Sequence, residues 1–264
     1  VVYWNNLNNN LALQYHENAL SIRKKIYSSE HVEIADSYNN IGLVYSTYAY
    51  NKANANFKKA LESYEKILGS NHQKVARCYN NLALVSDKQK DYDQALEYLD
   101  KVLIIWNNTI DGEHPNKAFS YVSIGNVLYN KGELELAILN LEKALKSYHV
   151  LYGDKHPEIS KILNLLGRVN RDKGNFVESI HNYQKGIYAN LFDQELTEIY
   201  SNPELKNYYN ADYLLESLQG KADAFETLHY NKTLKKRDLL ASLDCLELAD
   251  KLVTKIRKIR LSEK

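Results

Sequence analysis

Apolar residues recur at helical spacing along most of the chain. Tyr38, Ile41 and Tyr45 form one such stripe, and the segments ALEYLDKVLIIW (95–106) and AILNLEKALKSY (137–148) carry others. Spacings of three and four residues place these side chains on one face of an α-helix. Short polar segments such as KQKDY (88–92) and NKGEL (130–134) interrupt the stripes. Connectors reading LGSNHQ, DGEHPN and GDKHPE follow the longer ones. Gly can end a helix in left-handed geometry and Pro can open the next at its first turn. The pattern predicts paired helices, and 10 Gly with 3 Pro leave little material for a turn-rich β architecture.

The pattern repeats. SYNNIGLVY (37–45), CYNNLALVS (78–86), SYVSIGNVL (120–128) and ILNLLGRVN (162–170) align, with small residues at Gly42, Ala83, Gly125 and Gly167. Two further series, Ala12/Ala53/Ala95/Ala137/Ser179 and His31/His72/His114/His156, share the same period of 41 or 42 residues. Neither helix of a unit can bury its apolar face alone, so neighbouring units must stack. One unit is short: Gly42 to Ala53 spans 11 residues where Ala83 to Ala95, Gly125 to Ala137 and Gly167 to Ser179 span 12. Together with the absence of Met, this raises the expectation of a residue missing after Thr47, visible as a chain break. The alternative is a shorter turn.

With these residues the chain resembles the tetratricopeptide repeat (TPR) family, in the roughly 42-residue form with an Asn-Asn-small motif and a G-x-x-H-P connector found in kinesin light chains. The resemblance covers residues 1–190, a partial unit followed by four units, the last atypical at Asn170, Ser179 and Gly186. It implies an all-α fold, a right-handed superhelical TPR solenoid of antiparallel helix pairs. After residue 190 the period stops. Residues 191–212 read as an irregular connector and 213–264 as a further helix pair. NPELKNYYNADYLLESLQGKADAF (202–225) and LELADKL (246–252) resemble the region ahead of the caspase-like peptidase in bacterial TPR–CHAT proteins. That likeness implies a peptidase beyond Lys264. Leucines and isoleucines on more than one face of 239–259 fit the same expectation, because a terminal repeat should have a polar outer side.

Composition narrows the function. Lys+Arg number 34 against 33 Asp+Glu, so no excess of positive charge points to nucleic acid. No apolar run approaches membrane length and no signal peptide precedes the first stripe. Two cysteines make no disulfide framework and fit a reducing, cytoplasmic setting. The Asn, Lys and Tyr richness suits a bacterial source.

No catalytic, cofactor or metal site is expected. Cys78 precedes a packing tyrosine and Cys245 lies in an apolar helix, so both read as buried thiols. The four histidines stand one per connector, too far apart to converge on zinc, and read as turn residues. What remains is the inner face of each unit's first helix, which the TPR resemblance makes the lining of a concave groove. Asn39, Asn40, Asn80, Asn81, Ser123, Asn126 and Asn164 fall there. An Asn amide both donates and accepts, so it can hold a peptide backbone whatever its sequence. Arg77, Lys88 and Arg168 could pair with an acidic ligand. Some of these Asn could instead fix repeat packing. The expected function is a protein–protein interaction scaffold for a peptide or protein partner, either as the recognition region of a CHAT-type protein or as a free-standing kinesin-light-chain-like adaptor. An enzyme would need a Cys–His or metal cluster, and none is visible.

Overall fold

The computed structural model describes residues 2–28, 30–194 and 198–262. Its helices gather in two units, residues 1–112 and 113–264. The first holds α1 (Val2–Ile26), α2 (Val32–Tyr45), α3 (Tyr50–Leu68), α4 (Gln73–Lys88) and α5 (Tyr92–Thr109). The second holds α6 (Pro115–Lys131), α7 (Leu134–Tyr152), α8 (Pro157–Asp172), α9 (Phe176–Ala189), α10 (Ala211–Leu228) and α11 (Lys236–Ser262). A π-turn, His229–Thr233, joins the last two helices. The helices pair in sequence, α2 with α3, α4 with α5, α6 with α7, α8 with α9 and α10 with α11. Among the described residues there is no strand, and one isolated β-bridge joins Leu191 to Tyr208.

The small-residue series sets how each pair closes. A Cβ added at Gly42 would lie 2.6 Å from the Phe57 ring, at Gly125 2.8 Å from Leu141, and at Gly167 2.8 Å from Tyr183. Each knob comes from the second helix of its own pair, and Phe57, Leu141 and Tyr183 are all buried. The ring of Tyr183 is also pressed against Gly220 of α10, so it is gripped from two sides.

The histidine series caps helices. His31, His72, His114 and His156 have extended backbones one residue before α2, α4, α6 and α8. Each Nδ1 accepts from the backbone N–H two residues on, at 3.1–3.2 Å. The ring thus does what a Ser or Asp side chain does at an N-cap, satisfying one of the orphan donors of the first turn. His31 and His156 are further held by stacking on Tyr27 and Tyr152, centroids 3.9 and 4.1 Å apart.

The short unit has a local cause. In the other three units the first helix, α4, α6 or α8, ends with a left-handed residue, Lys90, Gly132 or Gly174. In each the following N–H reaches back five residues, from Asp91 to Ser86, Glu133 to Leu128 and Asn175 to Asn170, at 2.8–2.9 Å. This is the Schellman closure. Residues 46–49 contain no left-handed residue. There α2 stops at Tyr45, and hydrogen bonds from Ser46, Thr47, Tyr48 and Ala49 carry the backbone without interruption into α3. The backbone runs through Thr47 as the sequence is written, and the turn is no shorter than in the other units. The first helix is, because the left-handed step is absent.

The connector after α9 is tied rather than loose. Asn190 donates to the Asn210 carbonyl at 2.6 Å and accepts from its N–H at 2.8 Å, closing the ends of the loop. Three lysines hold its carbonyls: Lys155 reaches Phe192 and Gln194, Lys221 reaches Ser201, and Lys255 reaches Leu205. Lys221 is fully buried and also donates to Gln184 Oε1 at 2.6 Å and Asn202 Oδ1 at 3.1 Å. Three neutral oxygens satisfy its three protons, but among the described residues no carboxylate pairs with it. Burial therefore pulls its pKa down to about 8.

Three outcomes follow from this packing. Gly167→Ala should destabilise the chain by about 1–3 kcal/mol through overpacking, since Gly220 keeps Tyr183 from retreating; an unchanged urea midpoint would refute the close approach. His114→Ala should cost about 1 kcal/mol, and His114→Asn, which can still cap, less; equal losses would remove the capping role. For Lys221 the folded pKa lies below the unfolded value near 10.4. Its contribution to stability is complete above the unfolded pKa and is lost as pH falls towards 8. Wild type should therefore gain about 2 kcal/mol relative to Lys221→Met between pH 8 and 10. A pH-independent difference between the two chains would contradict this.

Candidate functional site

In the first unit, equivalent positions of α2 and α4 form matched rows. Asp36 corresponds to Arg77, Asn40 to Asn81, and Leu43 to Leu84. Positions i, i+4 and i+7 share one helical face. This face opens on a polar cavity of about 310 Å³ at the N-terminal ends of α2 and α4. Arg23 of α1, Tyr64 of α3, and Lys74 and Arg77 of α4 line it, with Glu33, Asp36, Asn39 and Asn40 of α2.

Most charges in the cavity are paired. Arg23 binds Glu33 at 3.0 Å and donates to Ser37 Oγ at 2.7 Å. Lys74 contacts both Asp36 oxygens, at 2.7 and 2.8 Å. Asp36 also accepts from the Tyr64 hydroxyl. Burial raises the pKa of Tyr64 well above the usual tyrosine value, and the bond to Asp36 adds to it, so the hydroxyl stays a neutral donor. Arg77 is exposed and has no ion pair among the described residues. The cavity thus carries three cations against two carboxylates, with the uncompensated guanidinium at Arg77.

The asparagines divide. Asn39 is buried, and its Oδ1 accepts from Asn81 Nδ2 at 3.0 Å and from the Cys78 thiol at 3.8 Å. Asn81 is therefore a link between α4 and α2. Asn40 is half-buried and makes no hydrogen bond among the described residues. Asn80 is half-buried with its Oδ1 enclosed and unpartnered. Lys88 is exposed at the last turn of α4. The cavity gathers Asn39, Asn40 and Arg77, and Asn81 joins through Asn39.

In the second unit, Ser123 turns back to the Phe119 carbonyl at 3.1 Å. Asn126 is half-buried without a hydrogen bond among the described residues. Asn164 is fully buried, donating to the Tyr213 carbonyl at 3.0 Å and accepting from Ser217 Oγ at 2.6 Å, so its amide is spent on packing α8 against α10. Arg168 lays its guanidinium 5.3 Å from the Tyr129 ring centre, while the Tyr129 hydroxyl donates to Asp172 at 2.5 Å.

Leu43 and Leu84 escaped the reading of the sequence. They are 40% and 49% exposed, one turn beyond Asn40 and Asn81, and add an apolar strip to the polar face. The repeat alignment contained the signal: both stand at the same register as the polar Asn126. The cysteines are free thiols. Both are buried, and burial pushes the Cys78 thiol up to about 12 with Arg77 opposing in part. Among the described residues, no group of three or more His, Cys, Asp or Glu could hold a metal ion, and no helix is long and apolar enough to cross a membrane.

Comparison with known proteins agrees with this architecture. A tetratricopeptide repeat family model matches residues 1–66, 81–148 and 121–187, and a second one matches 52–108. No curated protein matches the chain by sequence. Among solved structures, BtubC (BKLC) from P. vanneervenii is similar over 94% of this chain and 92% of its own, with a TM-score of 0.73 at 11% identity. A putative kinesin light chain from Podosopora anserina, with nearly identical TPR-like repeats, is similar over 71% and 89%, with a TM-score of 0.61 at 20% identity. A Rap protein complexed with Competence and Sporulation Factor is similar over 97% and 67%, with a TM-score of 0.62 at 16% identity. At these identities the likeness concerns the fold.

Proposed function

The chain belongs to the tetratricopeptide repeat family, and on that premise we propose that it is a protein-interaction scaffold whose first unit holds an extended peptide along the outward face of α2 and α4. The observation that carries this reading is the contrast in how polar groups are used. Asn39, Asn81 and Lys74 are bound within the protein, whereas Asn40 and Arg77 are left open beside a cavity. Asn40 can donate to and accept from one peptide unit. Arg77 can take a carboxylate in a bidentate fork, and Leu43 and Leu84 can cover an apolar side chain. A Rap protein of similar fold was solved with a bound factor, which supports a ligand-holding role. In the second unit Asn126 is an open polar side chain at the register that Leu43 and Leu84 occupy in the first.

The role ahead of a caspase-like domain rests on the likeness of residues 202–225 and 246–252, and a cytoplasmic location on the free cysteines. Peptide holding by the first unit depends on neither.

Peptides selected by display against the chain supply the test, with binding followed by fluorescence anisotropy. Asn40→Ala should weaken the selected peptides about five-fold, the loss of roughly 1 kcal/mol for one net hydrogen bond. Arg77→Glu should weaken acidic peptides more strongly than neutral ones. Neither change should move the melting temperature, whereas Asn81→Ala should lower it by breaking the bond to Asn39. Intact peptide binding in Asn40→Ala and Arg77→Glu would place the site elsewhere.

A further inference from the structure

The outward face of α11 carries exposed leucines near both ends and a run of exposed charges between them, with Leu246 also exposed among the charges. Leu240 and Leu243 are 49% and 50% exposed near the start, and Leu261 is 72% exposed near the end. From Leu240 to Leu261 the outward positions recur at alternating steps of three and four, the spacing of a seam between two helices. The charges between them are sorted. Asp244, Glu247 and Asp250 come first and Lys251, Arg257 and Lys258 follow; all six are exposed. None of the six has an ion pair among the described residues.

A helix sorted in this way complements itself only when reversed. We propose that α11 is the contact between two copies of this chain, packed antiparallel about a two-fold axis between Asp250 and Lys251. In that register Leu240 of one copy meets Leu261 of the other. Asp244 meets Arg257, and Asp250 meets Lys251. Each contact occurs twice, as a two-fold interface requires. A parallel pairing would set acid against acid and base against base. The 27 residues of α11 give a line of contact about 40 Å long. Its inner face is occupied independently, Cys245, Ala249 and Leu252 being buried in the second unit, so pairing requires no rearrangement of the core.

Sedimentation of the chain alone tests this over two decades of concentration reaching the hundred-micromolar range. A monomer–dimer equilibrium is expected, weaker at high salt because the pairs are exposed. Asp244→Lys should raise the dissociation constant at least about five-fold. Asp244→Lys combined with Arg257→Glu should restore it, because the swap rebuilds both symmetric pairs. Leu240→Glu, which sets a carboxylate against Leu261 of the other copy, should abolish the dimer while leaving the helical circular dichroism unchanged. A chain that stays monomeric throughout overturns the proposal, whatever else covers α11. So does a dimer that none of these variants affects, or one that the double swap fails to restore.

Discussion

The close approach of paired helices at one small residue per unit governs the structure. Gly42, Gly125 and Gly167 leave room for one knob each, Phe57, Leu141 and Tyr183. Because the knob lies at a fixed distance along the second helix, the small residue sets the register of the pair. That register fixes which face of the first helix is buried and which turns outward. Asn40, Leu43 and Leu84 point outward because Ile41, Gly42, Leu82 and Ala83 are turned inward beside them. A helix advances about 100° per residue, so Asn39 and Asn40 cannot share a role: one enters the interface and the other leaves it.

Much of this was legible in the sequence. Three residue series with one period gave paired helices, their order and the position of the connectors. Identity at each register was enough, because a repeat writes the same packing problem several times. Division of the asparagine pairs was not legible. Asn39 and Asn40 are the same residue side by side, and the donor to Asn39 is Asn81, 42 positions away. The connector histidines were readable as turn residues but not as caps, since the bond depends on an extended backbone and on which ring nitrogen faces the helix. Lys221 gave no signal at all. A lysine in a helical stripe reads as a solvated charge, and its burial depends on three acceptors, two of them in a connector that looked irregular.

The two units spend polar groups differently. Around α8 to α10, Asn164, Ser217, Lys221 and Gln184 are closed into internal hydrogen bonds. A buried polar group is tolerable only when satisfied, and there the satisfaction comes from within, holding a non-repeating connector against the repeat. Around α2 and α4 the network stops short of completion. Arg23 with Glu33, and Lys74 and Tyr64 with Asp36, satisfy one another and stiffen the cavity wall, while Arg77 and Asn40 stand beside them without partners among the described residues. A wall made rigid by internal pairs, with a few unspent groups, is what a recognition surface needs, because little side-chain freedom is lost on binding.

The charge balance of the chain bears on how such a surface would recognise its ligand. With 34 basic and 33 acidic residues, the net charge of the chain adds little long-range pull on an anion. Attraction at Arg77 is local, within the reach of a single guanidinium and screened beyond about 10 Å at ordinary salt. Affinity must then come from contacts that require alignment: the amide of Asn40, the fork of Arg77 and the apolar cover of Leu43 and Leu84. These lie along two neighbouring helices, so a ligand engages them together only if it is extended and crosses from α2 to α4. A compact anion could satisfy Arg77 and reach none of the others.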